Sequence, residues 1–196
     1  MLIAHLPEGA RGLESIIGRG LQRRNQHLSE KLDRRSARGG PNKVNVSTCN
    51  WLGRLSFFRR TNLRFDEEIG RGSGSDRKLY KDLVGLGGTS SWTKKAHVFD
   101  SAPLSRLTLA YQFSRGRDQQ SFRYSYANRP ERLSSARLFA KALGRLPRLV
   151  LAIIAVPITG GTSIVHAARL TGNIFGFLDA ARGRAPRSHY ETVTGE

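Results

Sequence analysis

Apolar residues recur at three- and four-residue spacing in several stretches of the chain, and each such stretch predicts a helix. Leu79, Tyr80, Leu83 and Val84 predict two or three turns that begin near Ser75 or Asp76 and stop at Gly85, Gly87 or Gly88. Leu104, Leu107, Tyr111 and Phe113 mark a helix opening at Pro103. Residues 134–146 place Leu138, Phe139, Leu143 and Leu146 among Arg137, Lys141 and Arg145, the pattern of a basic amphipathic helix. Leu170, Ile174, Phe177 and Leu178 predict a further short helix before Asp179. Nearer the start, short helices are expected over residues 13–21 and 27–32, ahead of the breaker Gly39-Gly40-Pro41. Short strands are expected over 44–48, 89–92 and 96–99, the last two flanking Lys94-Lys95. Phe122, Tyr124 and Tyr126 alternate with Arg123 and Ser125, which fits either a strand edge or an interfacial belt.

One stretch breaks this amphipathic pattern. Residues 149–165, LVLAIIAVPITGGTSIV, hold no charge over seventeen positions but are interrupted by Pro157 and Gly160-Gly161. A full membrane span wants about twenty apolar residues. A tilted span, a re-entrant hairpin and a monotopic helix pair all remain open for it. Arg137, Lys141, Arg145 and Arg148 precede it, and Arg169 follows. The start of the chain, broken by His5 and Pro7, does not read as an export signal.

Charge changes the picture more than composition does. The chain has 196 residues, enough for one ordinary core, and 33 Lys plus Arg oppose 15 Asp plus Glu, a net charge of +18. Attraction to polyanions follows, whether nucleic acid, anionic lipid or diphosphate. The cluster Arg34, Arg35, Arg38 and Lys43 lacks interleaved aromatics, so specific nucleic-acid binding is not expected. The single cysteine, Cys49, excludes an intrachain disulfide framework and a cysteine-rich zinc site.

Six of the fifteen acidic residues fall within residues 62–101. There Gly70, Gly72 and Gly74 permit a tight loop that runs into Ser75 and Asp76. Asp76 at a helix start is either an N-terminal cap or a resident carboxylate able to accept a proton, because the helix dipole favours its ionised form. His97 has no other ligand type at metal spacing.

Residues 45–128, through Thr48 and Asn50, Leu63-Arg64-Phe65-Asp66-Glu67, the GSGSD loop, Trp92, Ala96-His97-Val98 and Pro103-Leu104-Ser105-Arg106-Leu107-Thr108, resemble the acceptor-side half of bacterial family 2 glycosyltransferases of the exopolysaccharide and cell-surface branch. The resemblance implies an α/β fold: a partial nucleotide-diphospho-sugar transferase (GT-A-like) domain followed by a helical, membrane-associated tail. It divides the chain into a basic linker-like segment (1–43), the acceptor-side part (44–130) and the tail (131–196). It makes Asp76 the catalytic base, puts Gly72, Gly74 and Ser75 in the acceptor loop, and places Asn50, Asp100 and Arg106 at the donor sugar and phosphates. Ser75 and Lys78 replace acidic neighbours of the base, and no Asp-x-Asp metal motif occurs in the chain.

The implied protein is therefore either a C-terminal fragment of a transferase or a variant whose donor-binding half is missing. It binds no cofactor alone and would take Mg²⁺ or Mn²⁺ if that half were supplied. The implied partners are the membrane surface, an upstream donor-binding chain, and a nucleotide-sugar with a glycan or lipid-linked acceptor. The implied address is the inner membrane, with the site facing the cytoplasm. The rival expectation is a non-catalytic membrane-associated remnant or interaction protein.

Overall fold

A computed structural model of the chain describes residues 2–5, 7–38, 50–67, 75–93, 95–96, 98–125 and 133–184. Seven α-helices dominate these residues: α1 (Gly12–Ala37), α2 (Leu55–Thr61), α3 (Ser75–Gly85), α4 (Leu109–Ser125), α5 (Ser135–Leu143), α6 (Leu146–Ile158) and α7 (Ile164–Ala181). Strand pairing among the described residues is limited to β1 (Leu2–His5) and β2 (Val98–Ser101), parallel and in register from Leu2 against Val98 to His5 against Ser101. A nucleotide-diphospho-sugar domain is built on a central sheet with helices on both faces. Two four-residue strands are no such sheet. The α/β, GT-A-like expectation is overturned, and the chain is a helical fold.

The chain forms two compact units. The first takes in β1, α1 from Gln22 onward, α2, α3 and β2. Its core is Leu63, Leu79 and Leu83, with Trp51, Phe57 and Phe58 packed on it. The three-to-four spacing read from the sequence is what puts Leu79 and Leu83 on one buried face of α3. Trp51 and Phe58 meet with ring centroids 5.6 Å apart, and Trp92 donates its indole N–H to Asp33 Oδ1 at 2.6 Å. Residues 89–92 are irregular rather than a strand, and residues 27–32 belong to one long α1 rather than to a separate helix. The expected strand over 44–48 lies outside the described residues.

The second unit takes in α1 up to Leu21, a 3₁₀ turn at Leu104–Arg106, and α4 to α7. Ile17, Leu107 and Val165 form one buried cluster, and Leu138, Ala142 and Phe177 another. Helices α4 and α7 come unusually close because glycine lines their crossing. A methyl group at Gly116 would collide with the Arg169 carbonyl, at Gly172 with the Phe113 carbonyl, and at Gly176 with the Arg117 carbonyl. One ion pair locks the same crossing: Arg117 Nε lies 2.5 Å from Asp179 Oδ2, and Asp179 is buried. That hydrogen bond raises the Arg117 pKa, with burial opposing it and the charges of Asp179 and Asp118 adding to it. Phe122 and Tyr124 sit within α4, so the strand reading of that alternation is corrected.

The uncharged stretch also folds differently from a span. Helix α6 ends at Ile158 with Thr159 as its C-cap, after which Gly160 and Gly161 take left-handed φ values of 60° and 84° and Gly161 N–H donates to the Val156 carbonyl at 2.8 Å. Thr159 ties the turn together by donating to the Ala155 carbonyl and meeting Ser163 Oγ at 2.8 Å. Among the described residues, no helix is long and apolar enough to cross a membrane. The expected membrane-associated tail, with its transmembrane helix, and the inner-membrane address drawn from it are overturned.

Candidate docking face and basic cluster

The residues singled out from the sequence fall into both units. Ser75 and Asp76 open α3 and are half-buried in its first turn. Two residues on, Lys78 Nζ lies 2.7 Å from Asp82 Oδ2 and 3.5 Å from Asp66 Oδ2. The hydrogen bond to Asp82 raises the Lys78 pKa against the opposing effect of burial. Asn50 donates from Nδ2 to the Ala96 carbonyl at 3.2 Å, joining two loops of the first unit. Asp100 stands opposite Ala4 in the β ladder. Gly72, Gly74, Cys49 and His97 lie outside the described residues.

Arg106 belongs to the second unit, at the end of the 3₁₀ turn. Its carbonyl accepts from Gln112 Nε2 at 2.7 Å, and its Nε is buried without a hydrogen-bond partner. Arg169 in turn donates to Gln112 Oε1 at 2.7 Å, so the buried Gln112 links the 3₁₀ turn to α7. No group of three or more His, Cys, Asp or Glu among the described residues could hold a metal.

The most distinctive surface lies on α6, which periodicity alone could not rank. Its inner side packs Leu149 and Ala152 against Ala167 and Leu170 of α7. Its outer side is exposed at Val150, Leu151, Ile153, Ile154, Pro157 and Ile158, with Ile158 retaining 81% of its accessible surface. Phe139 and Leu143 of α5 and Leu146 at the start of α6 are exposed as well. A surface helix ordinarily turns charge to water. This one turns a face that is wholly apolar beyond Arg148.

A stacked basic cluster sits at the beginning of α6. The Arg145 guanidinium lies 4.9 Å over the Phe177 ring, Phe177 meets Tyr124 at 5.2 Å, and Arg123 lies 5.8 Å over Tyr124. Arg148 follows Arg145 at helical i+3 spacing. Burial lowers the Arg145 pKa; Tyr124 opposes this, and the like charges of Arg148 and Arg123 add to it. No ion pair to a carboxylate is formed by Arg123, Arg145 or Arg148 among the described residues. The sequence offered Arg145 and Arg148 as part of a basic run. It gave no sign that Phe177, more than thirty positions away, would form the platform beneath Arg145.

Comparison of the chain with protein-family models, with curated proteins and with solved structures finds no match. Together with the helical fold, this overturns the family 2 glycosyltransferase resemblance and the sugar-transfer function drawn from it. A sheet-based nucleotide-sugar fold, which that chemistry requires, is not present among the described residues. The rival reading of a membrane-associated remnant falls with the expected membrane helix.

Proposed function

We propose that this chain is a docking module that binds an acidic protein partner along α6. The observation that carries the reading is the continuous exposed apolar face from Val150 to Ile158. Fully burying a Val, Leu or Ile side chain is worth about 1.5–3 kcal/mol. Covering Val150, Leu151, Ile153 and Ile154, each more than half exposed, and the largely exposed Ile158 would therefore contribute about 5–9 kcal/mol before ordering costs.

Charge selects the kind of partner. Even if every acidic residue neutralised one basic residue, 33 less 15 leaves 18 positive charges unmatched. A second copy would bring the same excess to the interface, and like charges there oppose association. An acidic chain is complementary instead. Helix α6 has 13 residues and spans about 20 Å, which matches four turns of an amphipathic partner helix with Leu or Ile on one side and Glu on its rim.

The test is fluorescence anisotropy with a labelled designed peptide of that composition, about 18 residues long, beside a scrambled peptide of equal charge. The apolar-faced peptide should bind in the micromolar range. Its affinity should fall at least tenfold in Ile153→Ser/Ile154→Ser, where both side chains are more than half exposed and neither belongs to a buried cluster. Equal binding of the scrambled peptide would reduce the interaction to charge alone and contradict docking on α6. Sedimentation with anionic vesicles by a chain that ignores both peptides would also contradict it.

A further inference from the structure

The arginine cluster at the start of α6 carries a second inference, which does not depend on the apolar face. Two guanidinium groups, of Arg123 and Arg145, stack on the Tyr124–Phe177 ring pair, and the charge of Arg148 acts on Arg145; none of the three forms an ion pair to a carboxylate among the described residues. Each ring contact holds its arginine in place: cation–π stacking fixes the plane of the guanidinium and leaves its N–H edge to seek an acceptor. Like charges held close destabilise one another until an anion joins them; burial chiefly lowers the Arg145 pKa, and the charges of Arg148 and Arg123 add to that effect.

We infer that Arg123 and Arg145, braced on Tyr124 and Phe177, form with the neighbouring Arg148 a binding site for a phosphate group. A phosphate dianion suits the cluster better than a single carboxylate does. It presents three or more acceptor oxygens and neutralises two charges, and guanidinium forks engage such oxygens in pairs. Arg106, the sequence-based choice for a phosphate contact, is not part of this cluster. Its carbonyl is engaged by Gln112 and its Nε is shut away from solvent.

Isothermal titration of the full chain with inorganic pyrophosphate in 150 mM chloride tests the site, because that salt screens diffuse attraction while a formed site survives it. Saturable one-to-one binding is expected. Arg148→Gln and Arg123→Gln should each weaken it about tenfold, whereas Arg59→Gln, an exposed arginine of the first unit with the same loss of charge, should change it less than twofold. Equal weakening by all three substitutions, or no saturable binding, would overturn the site.

A dihexanoyl phosphatidic acid arm, kept below its micelle concentration, separates a free phosphate from a lipid headgroup. Affinity within threefold of pyrophosphate supports recognition of the phosphate group itself, and binding of the lipid alone overturns it. Because neither titrant has a helical apolar face, failure here leaves docking on α6 untouched, and failure of the peptide experiment leaves this site untouched.

Discussion

Arg117 and Asp179 show how single residues hold the second unit together. Asp179 is buried and faces two arginines of very different exposure: Arg117 at 2.5 Å, mostly covered, and Arg184 at 3.6 Å, mostly in solvent. A buried carboxylate stripped of its partner is costly, whereas an exposed pair is worth little. Arg117→Ala should lower the unfolding free energy by about 3 kcal/mol, toward the low end for breaking a buried pair. Arg184→Ala should lower it by about 0.5 kcal/mol. Urea denaturation of the two variants separates these outcomes. Similar midpoints would show that Asp179 is not anchored chiefly by Arg117.

At the scale of elements, the α4–α7 crossing depends on side chains that are absent. Replacing a helical glycine by alanine gains about 1 kcal/mol of helix propensity. At Gly172 the added methyl would run into the backbone of Phe113 and Arg117, and overpacking of that kind costs about 1–3 kcal/mol. Since the obstructing atoms are backbone and cannot swing aside, the steric cost should win. Gly85 has open space around it. Gly172→Ala should therefore lower the melting temperature by several degrees and Gly85→Ala should leave it unchanged or raise it, as read by thermal circular dichroism. A stabilised Gly172→Ala would contradict the close crossing.

The elements were legible in the sequence where one periodicity ruled alone. Leu79 and Leu83 marked α3, and the glycines at 85, 87 and 88 bracketed its end at Gly85, because apolar spacing and a breaker agreed. The polar run after Leu21 hid the continuity of α1: a helix with few apolar positions there leaves no stripe to read. Phe122 and Tyr124 alternate over too few residues to distinguish a period of two from one of 3.6. The seventeen uncharged residues looked like one apolar object, yet the Gly160-Gly161 turn divides them between two helices. Short matches such as the GSGSD loop carried a family resemblance that a helical fold does not bear, since a loop motif constrains a few residues and leaves the topology free. Of the docking face, the apolar content was visible. Which side of α6 would be left bare was not, because that depends on Ala167 and Leu170 of another helix.

For the whole molecule, two surplus quantities coincide: 18 unmatched positive charges and a helix face that water does not favour. Charge sets the rate and range of encounter, and the apolar face sets how long a partner stays. Raising salt should then slow association of an acidic amphipathic helix more than it speeds its release. The most direct measurement is amide hydrogen exchange of the full chain with and without that peptide, at a concentration that saturates binding. The expected result is added protection concentrated in α5 and α6, residues 135–158, with α3 unchanged. Protection spread evenly over basic segments of both units, or absent from α6, would contradict docking on the Val150 to Ile158 face.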